Sequence, residues 1–361
     1  MKTLRLPVDP GKLSSEPSRS AIEQAASILR AGGLVAFPTE TVYGLGANAL
    51  SADAVRKIFQ AKQRPAWDPV IVHVCDPAML STVVVHGHLH ACARELMAAH
   101  WPGPLTLLLP KAEAVPAIVT AGRPLVGVRM PASTVAQALI SAAGLPIAAP
   151  SANRFGHISP TTAAHVLEDL DGRIDAVLDS GETAHGLEST VVDASIDPVA
   201  VYRPGVVSLH EIRRICRSAV IWIPPDAPEG AIESVPESLP SPGVSLRHYA
   251  PRARLALIAG ELPHQAAAFA HAIEQAKHEH TRVGILLPAN FLASGSEGLV
   301  SGAVVFDWGD WSNLAELAHR LFAGLRELDA AGVNLIVCPL PEATGIGTAI
   351  QDRLLKAAKP R

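Results

Sequence analysis

The sequence predicts an α/β fold with a mixed sheet, followed by a linker and a second, smaller α/β part. Short apolar runs typical of buried strands alternate with helical patterns through residues 20–216, and the alternation resumes after residue 255. Between these stretches, six prolines fall from Pro224 to Pro242, where neither a helix nor a central strand can form. A chain of 361 residues also exceeds the usual size of one domain. We expect an N-terminal domain over 15–215, a linker over 216–250 and a C-terminal domain over 251–361.

Capping residues and apolar runs predict the elements of the N-terminal part. Residues 1–17 are polar and proline-containing, so they are expected to be an extended lead-in. Ser20-x-x-Glu23 matches a capping box at the start of a helix that ends at Gly32-Gly33. A buried strand is expected at 34–37, and Ser51 is the expected N-cap of the next helix, which ends near Lys62. Further strands are expected at 70–74, 105–109, 126–130, 147–149, 176–179, 190–193 and 199–202, and helices at 92–99, 134–143, 162–170 and 208–216.

The C-terminal part repeats the same alternation in a shorter form and is expected to be a Rossmann-like unit. Its expected strands are at 255–259, 283–287, 304–306 and 335–338, and its expected helices at 264–278, 314–331 and 348–357.

Composition excludes several classes of protein. A net charge of −4 and a pI near 6.4 give no global attraction to nucleic acid or to an anionic membrane. The N-terminus lacks the apolar core of a signal peptide, and no apolar run reaches the roughly 18 residues that a membrane-spanning helix needs. The four cysteines lie far apart without a C-x-x-C pair, which favours reduced thiols in a cytoplasmic protein. They are Cys75, Cys92, Cys216 and Cys338.

Polar side chains follow the ends of two predicted strands. Thr39, Glu40 and Thr41 come after the strand at 34–37, and open α/β sheets bind ligands at such strand ends. Ser151 and Asn153 follow the strand at 147–149 in the same way and suit phosphate oxygens or a sugar hydroxyl, although an ordinary Ser/Asn turn has the same pattern.

Three charged residues also lie at positions where they could bind a ligand. Lys62 and Arg64 at the end of a helix suit a polyphosphate, but they equally complement the helix dipole. Arg129 lies within an apolar strand, where an isolated charge is costly, so it is expected to have an anionic partner.

No single sequence motif of the chain is specific, but the combination of its motifs is. The motifs are Pro38-Thr-Glu-Thr-Val-Tyr-Gly-Leu-Gly46, Lys62-x-Arg64-Pro65, Pro150-Ser-x-Asn153, Ser159-Pro-Thr161, Glu188-Ser-Thr-Val-Val-Asp193, Arg203-Pro-Gly205, Ser241-Pro-Gly243, Arg247-His-Tyr-Ala-Pro251 and Gly345-Ile-Gly-Thr-Ala-Ile-Gln-Asp-Arg-Leu354. This combination resembles the YrdC/Sua5 family in its long Sua5 type, over nearly the whole chain. Asp68 departs from the pattern, because the family commonly has Asn there, and such a carboxylate either weakens nucleotide binding or faces a metal ion.

The resemblance implies a fold and an activity. The fold is a YrdC-like twisted mixed sheet with helices, joined by the Pro-rich linker to a Rossmann-like domain. The activity is the synthesis of threonylcarbamoyl-AMP and pyrophosphate from L-threonine, bicarbonate or CO2, and ATP, which is the first step of the t6A modification of tRNA. The product would pass to the tRNA threonylcarbamoyl transfer machinery. Mg2+ is implied by ATP, and neither a membrane nor strong direct nucleic-acid binding is expected.

The resemblance also assigns roles to residues. Lys62 and Arg64 are the expected catalytic cations, and His248 with Tyr249 is expected to fold back over the cleft as a lid. ATP contacts are expected from Lys62, Arg64, Asp68, Ser151, Asn153, Ser159, Arg203, His248 and Tyr249, and threonine or carbamate contacts from Thr41, His73, Arg129 and Ser189.

Two alternative functions remain at this point. One is a non-enzymatic RNA-binding module, against which the acidic net charge and the 4% aromatic content argue. The other is a carbamoyltransferase-like enzyme related to hydrogenase maturation factors, against which the missing acylphosphatase and zinc-finger segments argue.

Overall fold

A computed structural model describes residues 2–85, 87, 89–223, 241, 248–261, 264–292 and 300–359. Most of the predicted linker, including the proline-rich run, Gly243 and Arg247, lies outside the described residues.

The described residues form two compact units. The first is built from Met1–Phe155, Pro160–Thr183 and Glu188–Ser245, and the second from Leu246–Arg361 with the short segments Gly156–Ser159 and Ala184–Leu187. Both units combine helices with a sheet, so the predicted α/β class is confirmed. The division into 15–215, 216–250 and 251–361 stays a prediction. No helix in the described part of the chain has both the length and the apolar character needed to cross a membrane.

Eleven strands and eight helices of the first unit fall within the described residues. The strands are β1 Leu4–Pro7, β2 Val35–Pro38, β3 Tyr43–Asn48, β4 Val72–His73, β5 Leu105–Pro110, β6 Leu125–Arg129, β7 Ile147–Ala148, β8 Ala176–Asp179, β9 Thr190–Asp193, β10 Ala200–Arg203 and β11 Val220–Ile221. The helices are α1 Glu16–Arg30, α2 Ala52–Lys62, α3 Pro77–Val83, α4 Ala91–His100, α5 Ala117–Thr120, α6 Thr134–Ala143, α7 Ala163–Leu170 and α8 Leu209–Ile215.

The strands pair into one mixed sheet in the order β1-β8-β2-β3-β7-β4-β6-β5-β9-β10-β11. Apolar side chains alternate between its two faces, because successive strand residues point in opposite directions. Val35 and Phe37 of β2 pack with Leu29 of α1 and Leu139 of α6, whereas the intervening Ala36 belongs to the core on the other face. The sheet therefore has helices on both faces, and its strand ends remain available for polar side chains.

The N-terminal segment and the glycine motif differ from the sequence expectation. Residues 1–17 are not an extended lead-in, since Leu4–Pro7 pairs with β8 as an edge strand. Helix α1 begins at Glu16 rather than at the predicted capping box, because Pro17 in the first turn presets the helical backbone. Gly44 and Gly46, where the sequence predicted no strand, lie inside β3, which pairs antiparallel with β2. A β-carbon at Gly46 would lie 2.9 Å from both Phe37 and Ile147, so glycine is needed for packing.

The cysteine expectation is also corrected. Cys92 in α4 and Cys216 at the C-terminal end of α8 form a disulfide with a Cα–Cα distance of 6.0 Å, although 124 residues separate them. The expected reduced state fits Cys75 and Cys338, which are free. A pair brought together only by tertiary packing leaves no spacing signal in the sequence.

The second unit has a parallel four-stranded sheet among its described residues, in the order β12-β15-β13-β14. Its elements are β12 Arg254–Ile258, α9 His264–His278, β13 Val283–Ala289, β14 Val304–Asp310, α10 Leu314–Ala330, β15 Leu335–Pro339 and α11 Gly347–Ala357. Phe269, Ile273 and Ile285 belong to its apolar core. Parallel strands joined through helices are the Rossmann-like arrangement that the sequence predicted.

Candidate active site

Arg129, at the end of β6, is the centre of a buried polar cluster. Its Nη2 lies 2.5 Å from Oε1 of Glu40, its Nη1 donates to Oγ1 of Thr41 over 2.8 Å, and its Nε donates to the carbonyl oxygen of Gly103 over 3.1 Å. Only 4% of the Arg129 side chain and 8% of the Glu40 side chain are exposed. The anionic partner that the sequence demanded for Arg129 is therefore Glu40, from the segment after β2.

His73 joins this cluster through the register of the sheet. Strand β4 pairs parallel with β6, which places His73 beside Arg129. Burial and the positive charge of Arg129 lower the pKa of His73 to about 3, so its ring is neutral at pH 7. Its Nδ1 is buried without a hydrogen-bond partner among the described residues, so one ring nitrogen is available to a bound molecule.

The hydroxyl of Thr41 has a defined orientation. The Thr39 hydroxyl donates to the carbonyl oxygen of Val42 over 2.6 Å, so its only proton is used. In the 2.8 Å contact between the two threonine hydroxyls, Thr41 is therefore the donor. It also accepts from Arg129, and this leaves one lone pair for a further donor.

Ser189 and Arg203 are brought together at the start of β9 and the end of β10. The Arg203 guanidinium donates to the carbonyl oxygen of Ser189 over 2.9 Å and to its hydroxyl over 3.1 Å. The same hydroxyl lies 2.8 Å from Oγ1 of Thr106. The sequence placed Ser189 with threonine and Arg203 with ATP, and the structure makes them direct neighbours.

Lys62, at the end of α2, reaches the segment after β7. Its amine donates to the carbonyl oxygen of Ser151 over 2.6 Å and to that of Asn153, and it is 1% exposed. Burial and the neighbouring charge of Arg64 hold the pKa of Lys62 well below its usual range. Three of the predicted nucleotide contacts, Lys62, Ser151 and Asn153, thus converge at one place.

Asp68 is the counter-charge of this cationic region. Its carboxylate is fully buried and lies 2.8 Å from Nη2 of Arg64, which also donates to the Pro69 carbonyl oxygen over 2.6 Å. Burial raises the pKa of Asp68, while the positive charges of Arg64, Lys62 and Arg203 act against that rise. Three of the predicted phosphate-binding cations therefore surround one carboxylate.

The remaining predicted residues, Ser159, His248 and Tyr249, belong to the second unit. Arg326 donates to the carbonyl oxygen of Ile158, next to Ser159. Tyr249 has a positive φ of 64° and is stacked on Phe322 with ring centroids 5.5 Å apart. That His248 and Tyr249 act as a lid stays a prediction.

Comparisons with known proteins cover nearly the whole chain. The Sua5/YciO/YrdC family model, described as "Telomere recombination", matches residues 27–205, and the Sua5 C-terminal model, described as "Threonylcarbamoyl-AMP synthase, C-terminal domain", matches residues 207–359. The threonylcarbamoyl-AMP synthase of Bacillus subtilis is 41% identical over 100% of this chain and 99% of its own length. That of Pyrococcus abyssi is 41% identical over 93% of this chain and 94% of its own. The chain belongs to the Sua5 family, in its long form.

Solved structures support the same assignment. The crystal structure of P. abyssi Sua5 complexed with L-threonine superposes on this Sua5 chain with a TM-score of 0.87 at 40% identity, covering 99% of this chain and 98% of that one. A double-alanine variant of P. abyssi Sua5 gives a TM-score of 0.86 at 38% identity, with 99% and 96% covered.

Few side chains of the site could serve as ligands of a metal ion. Among the described residues, no group of three or more His, Cys, Asp or Glu side chains could hold a metal. Mg2+ with ATP commonly uses phosphate oxygens, water and one or two carboxylates. Asp68 offers a single carboxylate beside the cations, so the residues fit a Mg2+ that is held mainly by its nucleotide.

Sequence reasoning gave no role to Glu40, Thr39, Thr106 or the carbonyl of Gly103. Glu40 lies between Thr39 and Thr41 in the first motif. Its position next to Thr41, a predicted site residue, is the sequence signal that could have identified it. Thr106 and Gly103 carry no such signal, because they reach the site only through the pairing of β5 with β6 and β9.

Proposed function

We propose that this Sua5 chain is an L-threonylcarbamoyladenylate synthase, which converts L-threonine, bicarbonate or CO2, and ATP into threonylcarbamoyl-AMP and pyrophosphate. The observation that carries the proposal is the presence of two buried charged clusters in the first unit, Arg129 with Glu40 and Lys62 with Arg64 and Asp68. The first suits an amino acid and the second suits a polyphosphate. Full-length similarity to threonylcarbamoyl-AMP synthases supports the same function.

The Arg129 cluster is the proposed threonine site. Arg129 would take the carboxylate, since a guanidinium can bind both of its oxygens at once. Thr41 and the neutral His73 offer hydrogen-bond capacity for the substrate hydroxyl or the carbamate, and Ser189 completes the contacts taken from the resemblance. The solved complex of P. abyssi Sua5, a relative of this chain, contains L-threonine, which supports threonine as the substrate.

The Lys62 cluster is the proposed nucleotide site. Lys62, Arg64 and Arg203 would bind phosphate oxygens, while Ser151 and Asn153 would bind phosphate or ribose; Asp68 would limit the net positive charge. Phosphate oxygens would replace the carbonyl acceptors of Lys62, so that its amine would pair with a negatively charged acceptor instead of a neutral one. Ser159, His248 and Tyr249 are proposed nucleotide contacts from the second unit.

The reaction class is nucleotidyl transfer. The amine of threonine adds to CO2 with loss of a proton, or to bicarbonate with loss of water, and forms a carbamate. A carbamate oxygen then attacks the α-phosphorus of ATP, and pyrophosphate leaves with the electrons of the broken P–O bond. No covalent intermediate with the protein is needed, so the residues act by orienting the reactants and by stabilising the charge on the phosphates. Mg2+ bound to ATP would supply further charge neutralisation. The product would pass to the tRNA threonylcarbamoyl transfer machinery.

Pyrophosphate release is the experiment that tests the function. We expect release from ATP only when both threonine and bicarbonate are present, together with a product of the mass of threonylcarbamoyl-AMP. Release that is independent of threonine would contradict the proposal, and so would ATP binding without any turnover when all three substrates are supplied.

A further inference from the structure

The Glu40–Arg129 ion pair is enclosed to an unusual degree for two charges. Both side chains are more than nine-tenths buried, and the pair is 2.5 Å from nitrogen to oxygen. Burying two charges costs solvation energy that an ordinary core residue would not, so such a pair is a weak source of stability. No role for Glu40 in the reaction follows from the sequence motifs. The function of its carboxylate must therefore be inferred from the contacts of the buried pair with Arg129.

Arg129 keeps capacity for a single ligand. A guanidinium has five N–H groups, and three of them are directed at Gly103, Thr41 and Glu40. These acceptors come from two separate segments of the first unit, residues 40–41 and Gly103, so the plane of the guanidinium is fixed. Two N–H groups remain, which is the number that one carboxylate accepts in a bidentate contact.

Glu40 also keeps capacity for a ligand. Its Oε2 accepts a long, 3.4 Å hydrogen bond from the backbone N–H of Ser133, and its Oε1 faces Arg129. The backbone N–H groups of Ala132 and of Glu40 itself also contact the carboxylate, but Oε1, although ion-paired with Arg129, has no hydrogen-bond partner among the described residues and keeps acceptor capacity. Burial alone would raise the pKa of Glu40, but the charge and hydrogen bonds of Arg129 outweigh it, and the pKa lies below its usual value. The group is therefore an anion at pH 7.

The charges of the pair decide which molecules fit. Arg129 and Glu40 sum to zero, so a simple anion that approaches Arg129 also meets the adjacent carboxylate and is repelled. A zwitterionic amino acid carries its own opposite charges on neighbouring atoms and can present them to the pair in the reverse order.

We propose that Glu40 is a specificity-determining residue that binds the α-ammonium group of the amino-acid substrate while Arg129 binds its carboxylate. The ion pair thereby selects a free amino acid and rejects carboxylates that lack an amine. The inference rests on the proposed function in one respect, namely that the Arg129 cluster is the threonine site. It goes beyond it by assigning the recognition of the ammonium group to Glu40.

Calorimetric binding without ATP tests the proposal on the full chain. The ligands are L-threonine and 3-hydroxybutyrate, which keeps the carboxylate and the hydroxyl but lacks the amine. The wild-type protein should bind threonine and bind 3-hydroxybutyrate at least about 10-fold more weakly, the effect of losing one charge-assisted hydrogen bond. Equal affinity for the two ligands in the wild type would overturn the proposal without any variant.

The variant Glu40→Gln should reduce or reverse the preference for threonine over 3-hydroxybutyrate. It keeps the shape and an oxygen acceptor for Arg129, but the carboxylate charge is removed. We expect threonine affinity to fall by about 10- to 100-fold and 3-hydroxybutyrate affinity to rise, because the Arg129 charge is no longer offset. Glu23→Gln is the matched control, since Glu23 pairs with Arg30 at the exposed surface, and it should bind both ligands like the wild type.

The outcomes separate a recognition role from a structural one. If Glu40→Gln lost affinity for both ligands, the residue would only hold Arg129 in place, and the proposal would be wrong. Unchanged threonine binding would overturn it as well. Because these measurements need no turnover, threonine binding by a wild-type protein that releases no pyrophosphate would contradict the proposed function alone.

Discussion

At the scale of single residues, the site contains buried cations that already have hydrogen-bond acceptors or ion-pair partners. Lys62 is hydrogen-bonded to backbone carbonyl oxygens, Arg64 is paired with Asp68, and Arg129 is paired with Glu40. Each cation is therefore held in place before any substrate binds, and little rearrangement is needed when a phosphate or carboxylate arrives.

Replacing Lys62 tests the phosphate role of the buried amine. Lys62→Met keeps most of the side-chain volume, and we expect product formation to fall by at least about 100-fold, the size of effect seen when one electrostatic donor is removed. The free energy of unfolding should fall by about 1–3 kcal/mol, because the Ser151 and Asn153 carbonyl oxygens lose this donor. Lys57→Met is the control, since Lys57 is exposed on the same helix and also donates to a carbonyl oxygen. Normal turnover by Lys62→Met would refute the phosphate assignment.

Asp68 is expected to weaken ATP binding in its present form. The variant Asp68→Asn removes a carboxylate from between Arg64 and the nearby cations, so the attraction for phosphate should increase. We expect the dissociation constant for ATP, measured by calorimetry, to decrease several-fold. A weaker binding of ATP by this variant would show instead that the carboxylate orients Arg64 or contacts a nucleotide-bound metal.

His73 should make the stability of the first unit depend on pH. Its pKa is lowered from about 6.5 to about 3, so between these values the unfolded chain binds a proton that the folded protein does not. Stability is therefore full above pH 6.5 and is lost as the pH falls towards 3, by about 1.4 kcal/mol per pH unit for one group. Urea unfolding from pH 7 to 4.5 should show a smaller slope in His73→Gln than in the wild type. The exposed His210→Gln should keep the wild-type slope, and equal slopes in all three proteins would contradict the assignment.

At the scale of elements, most strands and helices were predictable because each carries its own local signal. The helix Thr134–Ala143 has exactly its predicted bounds, and Ser51 accepts the predicted capping hydrogen bond from Ala54. β3 was missed because its two glycines indicate a turn when only neighbours in sequence are considered. The reason for Gly46 lies on β2 and β7, at Phe37 and Ile147.

The two glycines of β3 should respond differently to a methyl group. Gly46→Ala would place a carbon 2.9 Å from both Phe37 and Ile147, and overpacking of this kind costs about 1–3 kcal/mol. At Gly44 the nearest atom, the β-carbon of Ala149, is 3.3 Å away, so Gly44→Ala should cost less. Urea unfolding of both variants provides the comparison, and a larger loss at Gly44 would show that the fit around Gly46 is looser than described.

The candidate site was predictable as a set of residues and less so as a set of contacts. The family motifs contain Lys62 and Ser189, and the charge of Arg129 in an apolar strand singled it out. Its pairing with Glu40, however, depends on the strand order of the sheet, which brings the segment after β2 close to the end of β6. The Cys92–Cys216 disulfide was missed for the same reason. The sequence shows that a charged residue in an apolar strand needs a partner of opposite charge. Which residue that partner is depends on the fold.

At the scale of the whole molecule, the units do not follow the order of the chain. Gly156–Ser159 and Ala184–Leu187 precede the linker in sequence but belong to the second unit, where Arg326 contacts Ile158. Close packing explains part of this assignment, because a β-carbon at Gly186 would collide with the backbone of His319. The second unit therefore contains segments that are far apart in the sequence.

The predicted linker over 216–250 ends with His248 and Tyr249, the two residues that the resemblance assigns to a lid. The lid expected from the resemblance predicts that ATP together with threonine slows proteolysis near Pro236 in the full chain, whereas either ligand alone has a smaller effect. Time courses of cleavage with each ligand combination provide the measurement. Identical cleavage rates in all of them would leave the linker as a tether.

The central position of β4 determines where the backbone of the first unit can open. Within the described part of the sheet, five strands lie on either side of it. Its amide hydrogens can therefore exchange with solvent only when the ladders on both flanks break, at a free energy close to that of global unfolding. We therefore expect the backbone that carries His73 to stay closed during each turnover, and substrates to be accommodated by side-chain rotation and by irregular segments such as residues 149–153.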